Sequence, residues 1–335
     1  MNVIKKILKI IKHHFGFPQT INWGYSLFLC SLGLLIVYVL RDIAIDKGFP
    51  LSPSSLMGYA LTAPLLVALA LVMPVAVLFI EKKKKKANVI IDSIGHYTGI
   101  GPIILSFISG IGLFLIKTPI HNLFTWLILR LGRSLVFPSF FFVNTPSDIV
   151  EKIAGYVFGT VIPSFGVCLF FTGLMWACFR KKDKKIATII IALSYAVFSL
   201  NVIDFIAIFA IGIWLCFLRD RTGNVWAPFV SLLGMGLMDM FFSRFVKSVD
   251  ITMVQVHSDI DSTYFYSSLP AFLVGLILLA FFAKSLNDFK SSYETDLSIN
   301  GEEASEAPSV LSGVNLSLIC AIIVFLVLWI ISIKG

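Results

Sequence analysis

The stretch Phe217-Leu-Arg-Asp-Arg-Thr-Gly-Asn-Val-Trp-Ala-Pro228 joins two long apolar runs. Its Arg219 and Arg221 suit the water–lipid boundary, where basic side chains anchor the cytoplasmic ends of membrane helices. Residues 222–224 are of the types that form tight turns, and Pro228 fits the first turn of the next helix, where the N–H that proline lacks is not needed. The stretch therefore predicts a short cytoplasmic hairpin between two membrane helices.

The composition of the whole chain agrees with this hairpin. Of 335 residues, 58% are hydrophobic and 14% are charged, and the mean hydropathy is +0.92. Soluble domains contain about 45–50% apolar and about 25% charged residues. The net charge of +8 comes from short basic blocks between apolar runs, which is the pattern of the positive-inside rule. These values exclude a soluble enzyme, a disordered protein and a nucleic-acid binder, and they indicate a multi-pass protein of the lipid bilayer.

Apolar runs of membrane-spanning character recur along the chain. A spanning helix needs about 20 mostly apolar residues. The predicted spans are 22–40, 57–80, 100–117, 153–179, 186–204, 205–218, 225–242, 266–283 and 312–333. The run 205–218 is short, so 186–218 is also open to interpretation as a bent pair that meets at Asp204. Residues 121–142 are predicted to form an interfacial helix on the outer side, with a tenth span as the alternative.

These runs predict an all-α membrane helix bundle, a single domain over residues 1–335 with about nine transmembrane helices. Residues 1–12 alternate apolar residues with lysines, which suits the inner membrane surface. The lysine-rich blocks 82–86 and 180–185 lie on the same side of the membrane only if residues 118–150 make no net crossing of the bilayer. The positive-inside rule then predicts a cytoplasmic N-terminus. The acidic, serine-rich stretch 285–308 is predicted to be a flexible cytoplasmic loop.

Few ionisable side chains interrupt the apolar runs. Asp204 closes the fifth predicted span, Asp239 lies in the seventh, and Asn201 is three residues before Asp204, on the same helix face. A charge at the bilayer centre costs roughly 2.5–3.5 kcal/mol, so these residues are functional candidates. The five cysteines lie in apolar runs without paired spacing or nearby histidines. No metal site, disulfide or cofactor is therefore predicted.

The hairpin and its surroundings also resemble a known family. Phe170-Phe-Thr-Gly-Leu174, the basic block 180–185, Ser194-Tyr-Ala-Val-Phe-Ser-Leu-Asn201 and the hairpin follow one another. Their order and spacing resemble the CAAX protease and bacteriocin-processing family of glutamic intramembrane proteases. The Ser-Tyr-x-Val-Phe-Ser-x-Asn pattern is similar to the lysostaphin resistance protein A branch of that family. The resemblance covers about residues 165–245. It implies a family-like core at 153–245, with the last core helix ending near residue 242. It also implies that the protein is located in a bacterial plasma membrane.

The family's catalytic set does not carry over. Its motifs are Glu-Glu-x-x-x-Arg-Gly, Phe-x-x-x-His and His-x-x-x-Asn. We aligned the three motifs on Gly173, Phe198 and Trp226. The catalytic positions are then occupied by Val167, Cys168, Thr172, Val202 (or Asn201 after a one-residue slip), Leu232 and Gly236. Water activation needs a base, and the oxyanion needs a donor. Residues 152–252 contain neither glutamate nor histidine, so no catalytic residue is predicted.

The resemblance therefore implies a degenerate member that acts as a scaffold or regulator of a membrane or cell-envelope partner. The partner's transmembrane helix would bind in the groove that relatives use for substrate. The groove candidates are Thr172, Gly173, Asn201, Asp204, Gly234, Gly236 and Asp239. Glycines allow helices to approach closely, but packing within the bundle explains each of them equally well. Two alternatives stay open: a peptidase using Glu151, His121 and His257, and a small-molecule transporter, for which the sequence shows no internal repeat.

Overall fold

The computed structural model describes residues 23–49, 56–82, 94–95, 99–130, 149–179, 184–243, 245–246, 263–299 and 316–334. These residues form nine helices and no strand. The helices are α1 (Trp23–Asp46), α2 (Leu56–Leu66, Val67–Val72 and Met73–Lys82 in succession), α3 (Ile100–Arg130), α4 (Ile149–Phe179), α5 (Lys184–Phe198), α6 (Phe205–Thr222), α7 (Trp226–Phe242), α8 (Thr263–Ile299) and α9 (Leu316–Lys334). The middle segment of α2 and two segments of α4 have π-helical hydrogen bonding.

Five of these helices, α1, α2, α3, α4 and α8, are long and apolar enough to cross a membrane, and α7 and α9 are shorter apolar helices. The exposed faces of α8 and α9 consist largely of Leu, Ile, Val and Phe, as contact with lipid requires. Helices satisfy their backbone hydrogen bonds internally, which is what a spanning segment must do. The predicted all-α polytopic bundle is confirmed.

Two predicted boundaries differ from the structure. Helix α3 runs unbroken to Arg130, so residues 121–130 do not begin a separate interfacial helix. Polar residues continue this helix because they are buried against neighbours, as Asn122 is. Helix α8 continues to Ile299, so residues 285–299 are helical where a flexible loop was predicted. The first turn of α8 beyond the predicted span is stabilised by packing, since Leu286 is fully buried. Residues 1–12, 83–86, 131–142 and 300–308 lie outside the described residues.

Residues 186–218 belong to two helices, α5 and α6, and Asp204 is the residue immediately before α6. Helix α5 ends at Phe198, and Leu200 follows with a left-handed φ of 50°. The carbonyl oxygen of Val197 accepts a hydrogen bond from Trp329 Nε1 of α9 at 2.9 Å. Helices α5 and α6 then pack closely, because a Cβ on Gly212 would lie 2.8 Å from the Cα of Ala192.

Contacts along the helices define two ends of the bundle. Helix α3 runs antiparallel to α6, because Ser109 contacts Trp214 while His121 contacts Asp204. We call the end with His121 and Asp204 the polar end, and the opposite end, with Arg219, the basic end. Helix α4 starts at the polar end, where α3 finishes, because α4 runs antiparallel to α7: Thr160 contacts Gly236, and Phe165 contacts Phe229. Helix α2 runs parallel to α4, so the C-terminal ends of both helices, at Lys82 and Phe179, lie at the basic end.

Candidate functional site

The hairpin between α6 and α7 is built around a buried arginine. Arg219 is 3% exposed, and its Nη1 donates to the carbonyl oxygens of Ile94 at 3.1 Å and Gly223 at 2.7 Å. The N–H of Val225 donates to Ile94 at 3.0 Å, and Gly95 pairs with Asn224 through a β-bridge. The most specific motif of the sequence therefore fastens the segment 94–95 to the basic end, which is a structural task.

The turn itself is closed by its own residues. Gly223 has a φ of +68°, and its N–H donates to the carbonyl oxygen of Arg219 at 2.9 Å, which ends α6. The side-chain oxygen of Asn224 accepts the N–H of Ala227 at 3.0 Å, and this bond satisfies one of the first backbone donors of α7. Lys184 Nζ contacts Asp220 Oδ1 at 2.8 Å and joins the start of α5 to the turn.

At the polar end, His121, Asn201 and Asp204 form a hydrogen-bonded cluster. The Nδ1–H of His121 donates to Asp204 Oδ1 at 2.7 Å, and Asn201 Nδ2 donates to Asp204 Oδ2 at 2.8 Å. The side-chain oxygen of Asn201 accepts the backbone N–H of Ile203 at 3.0 Å. The His121 and Asp204 side chains keep 19% and 15% exposure. Both carboxylate oxygens of Asp204 thus have donors, as a charge removed from water requires.

Two further charges flank this cluster. Lys117 lies one turn before His121 on α3 and is partly buried, and its ammonium is attracted electrostatically by Asp239 and Asp204. Asp239 lies in the last turn of α7 and is exposed. The structure therefore brings the predicted residues Asn201, Asp204 and Asp239 to one end. Sequence reasoning missed Lys117, although a lysine inside the apolar run 100–117 was a usable signal.

The residues predicted to occupy the positions of the family's first motif lie in the packed interior. Val167, Cys168 and Thr172 are all buried on α4. The Thr172 hydroxyl donates to the carbonyl oxygen of Cys168 at 2.8 Å, so it is satisfied within its own helix. Phe171 packs against Tyr195 of α5 with ring centroids 5.4 Å apart. The interior around these three residues is aromatic and aliphatic.

The positions of the other two motifs lie elsewhere. Val202 is partly buried in the connection between α5 and α6, and Leu232 of α7 is buried in the core. Gly236 faces α4, because a Cβ there would lie 2.3 Å from Thr160 Cγ2. The side chains at these positions carry no group that could activate water or stabilise an oxyanion.

Two of the three glycines among the groove candidates, Gly234 and Gly236, contact other helices of this bundle. A Cβ on Gly234 would lie 2.1 Å from the carbonyl oxygen of Phe107, so α3 occupies this side of α7. Gly173 is buried in α4 beside Thr172. Packing within the bundle accounts for Gly234 and Gly236, and Asn201, Asp204 and Asp239 remain as candidates for a partner site.

The residues of the peptidase alternative do not form one group in the described chain. Glu151 is exposed in the first turn of α4, His121 pairs with Asp204, and His257 lies outside the described residues. In the part of the chain that the structure describes, no three His, Cys, Asp or Glu side chains are placed to hold a metal ion.

Comparison with known proteins agrees with the sequence resemblance. Residues 150–238 match the family model described as Rce1-like, type II CAAX prenyl endopeptidase Rce1-like. This segment is CAAX-protease-like. It spans α4 to α7 and ends immediately before Asp239. The match confirms the predicted resemblance to this family over residues 150–238, but not the branch similar to lysostaphin resistance protein A. No curated protein and no solved structure gives a significant match to the chain.

Proposed function

We propose that the chain is a catalytically degenerate, CAAX-protease-like membrane protein that acts as a scaffold or regulator of a membrane or cell-envelope partner. The observation that carries this proposal is the burial of Val167, Cys168 and Thr172 on α4, the residues that the sequence alignment places at the family's two glutamates and arginine. Hydrolysis needs a base for water and a donor for the oxyanion. The isopropyl group of Val167, the buried thiol of Cys168 and the hydroxyl of Thr172, which is hydrogen-bonded within its own helix, supply neither a base nor an oxyanion donor.

The proposed orientation follows from charge. The C-terminal ends of α2 and α4 and the Arg219 hairpin share the basic end. In the sequence, lysine-rich blocks follow both helix ends, so the positive-inside rule favours a cytoplasmic basic end. Because Trp23 at the start of α1 stacks near Phe179 at the end of α4, the N-terminal side of α1 also faces the cytoplasm. The polar end then faces outward, in a plasma membrane of the bacterial type. A partner of the cell envelope would meet the chain there.

The His121–Asp204 pair favours a second candidate, a peptidase that uses residues outside the family motifs. An aspartate that accepts from Nδ1–H of a histidine fixes the tautomer in which Nε2 is the basic nitrogen. Asn201 and Lys117 lie nearby and could donate to a developing oxyanion. The same hydrogen-bonded pair also links α3 to the connection between α5 and α6. The scaffold proposal assigns the pair this structural role.

Photo-crosslinking in native membranes tests the two candidates. Benzoylphenylalanine replaces Phe241 at the polar end or, as the matched control, Ile189 of α5; both side chains are exposed. The scaffold proposal predicts one intact membrane protein crosslinked in stoichiometric yield at position 241 and not at 189. A shortened partner that becomes full-length in the His121→Ala variant would instead establish the peptidase. Crosslinks to lipid alone at both positions would contradict the scaffold proposal.

A further inference from the structure

We infer that the basic end binds an anionic phospholipid, whose phosphate group contacts the guanidinium of Arg221. The inference goes beyond the proposed scaffold function and does not depend on it, because it concerns an exposed face of α6 and not the polar end. Two features carry it: the way in which each charge of the hairpin is compensated, and the apolar side chains that lie beside Arg221.

Arg221 differs from the other charged side chains of the hairpin. Arg219 Nη1 donates to two backbone carbonyl oxygens, and Asp220 Oδ1 contacts Lys184 Nζ at 2.8 Å. Consecutive residues of a helix do not face each other, so the contact of Asp220 with α5 leads away from Arg221. With the residues that the structure describes, Arg221 makes no hydrogen bond and no ion pair, and its Nε is buried without a hydrogen-bond partner. A guanidinium in such a place is stabilised by an anion that accepts its N–H groups.

An aromatic stack positions this guanidinium. Cζ of Arg221 lies 5.2 Å from the centroid of the Phe217 ring, and that centroid lies 5.1 Å from the centroid of Trp214. Trp214 is held in turn, because its Nε1 donates to Ser109 Oγ of α3 at 3.1 Å. The guanidinium therefore has little side-chain freedom left to lose when it binds a ligand, which favours a defined site over a diffuse attraction.

The side chains that lead along α6 to Arg221 are apolar and suit an acyl chain. Ile213, Phe217 and Arg221 are four residues apart, so they form one row on the helix. Ile206 continues this row by two turns, and Ile206 and Ile213 are 41% and 39% exposed. Helix α6 runs antiparallel to α3, which is long and apolar enough to cross a membrane, so the row leads from the membrane interior to the basic end. Arg221 then lies at the depth of the lipid headgroups, where the exposed indole of Trp226 also belongs.

An anionic phospholipid fits this surface better than other occupants do. Its phosphate accepts two N–H bonds from one guanidinium, and its acyl chain covers the exposed isoleucines. A zwitterionic lipid carries an ammonium as well, which the neighbouring Arg219 and Lys184 repel. Free phosphate would bind the guanidinium but would leave the apolar row uncovered. The test must therefore separate the lipid from the free anion.

The test titrates the full chain, purified in a mild detergent, with phosphatidylglycerol or with phosphatidylcholine of the same acyl chains, and native mass spectrometry measures the bound lipid. We expect phosphatidylglycerol to bind about fivefold more tightly than phosphatidylcholine. Arg221→Gln should remove that preference. Lys185→Gln is the matched control, because it removes an exposed cation at the same end, and it should retain the preference. Arg221→Lys keeps the charge without the bidentate geometry, so it should bind phosphatidylglycerol about two- to threefold more weakly than the unchanged chain.

Equal binding of the two lipids, or a preference that survives Arg221→Gln, would overturn the inference. If Arg221→Gln does not fold, Arg221→Lys decides, and an unchanged affinity for phosphatidylglycerol would then overturn it. Displacement of the lipid by inorganic phosphate but not by chloride at the same ionic strength would show a site for the free anion, which also overturns it. None of these results bears on the scaffold proposal, which crosslinking at position 241 tests separately.

Discussion

Gly95→Ala is expected to destabilise the protein by roughly 3–5 kcal/mol, because it combines backbone strain with a backbone clash. Gly95 has a φ of +82°, and a Cβ there would lie 1.8 Å from the carbonyl oxygen of Gly223 and 2.4 Å from Nη1 of Arg219. Neither neighbour can give way, because Arg219 donates to that same carbonyl. The measurement is the free energy of unfolding in a mild detergent.

Gly99→Ala is the matched control. Gly99 has a similar φ of +88°, but a Cβ there meets no atom within 4 Å. It should therefore show only the cost of the left-handed backbone, about 1 kcal/mol. Equal losses for the two variants would show that segment 94–95 does not contact the hairpin as described.

Gly234→Ala is expected to cost roughly 2–4 kcal/mol by forcing α3 and α7 apart. Its Cβ would lie 2.1 Å from the carbonyl oxygen of Phe107, which is backbone and cannot rotate away. Separation of the helices would also lengthen the 3.0 Å hydrogen bond between the hydroxyls of Ser109 and Ser231. Thermal unfolding in detergent, scored by loss of the monodisperse peak on size exclusion, measures the effect.

The control for this variant is Gly112→Ala on α3. A Cβ there would lie 2.7 Å from Cδ2 of Leu279, whose side chain can change rotamer, and 3.3 Å from the backbone oxygen of Gly275, which needs a shift of only a few tenths of an ångström. A loss below about 1 kcal/mol is expected. If Gly234→Ala were as mild as this control, the two helices would not pack backbone to backbone.

The apolar runs predicted the helices well because a membrane helix is defined by its own residues. Twenty apolar residues in a row need no tertiary information to be recognised. The errors arose where a helix continues through polar residues. Asn122 and Thr125 lower the hydropathy of α3 but are buried in the bundle, so the helix passes through them to Arg130. Such burial depends on neighbouring helices, which the local sequence does not reveal.

The candidate site was predicted only in part. Asn201 and Asp204 were placed together from their spacing, and they are hydrogen-bonded, although they lie in a connection rather than on a helix face. The partner of Asp204 is His121, 83 residues earlier in the chain, and no local pattern joins them. The sequence did not decide whether the candidate glycines pack within the bundle or bind a partner. The contacts of Gly234 with α3 can be known only once the helices are assembled.

The central claim is that a packed interior replaces the family's catalytic centre, and the thiol of Cys168 reports on it directly. The measurement uses a variant that retains Cys168 alone, treated in vesicles with a membrane-permeable maleimide. Cys168 is 1% exposed, so a packed interior predicts no labelling of the folded protein and rapid labelling after unfolding in SDS. The control is a second variant that carries Glu151→Cys as its single cysteine; position 151 is exposed at the start of α4, so this thiol should label while the protein is folded. Labelling of Cys168 as fast as labelling at position 151 would contradict the account, because it would show a solvent-filled cavity where a catalytic site belongs.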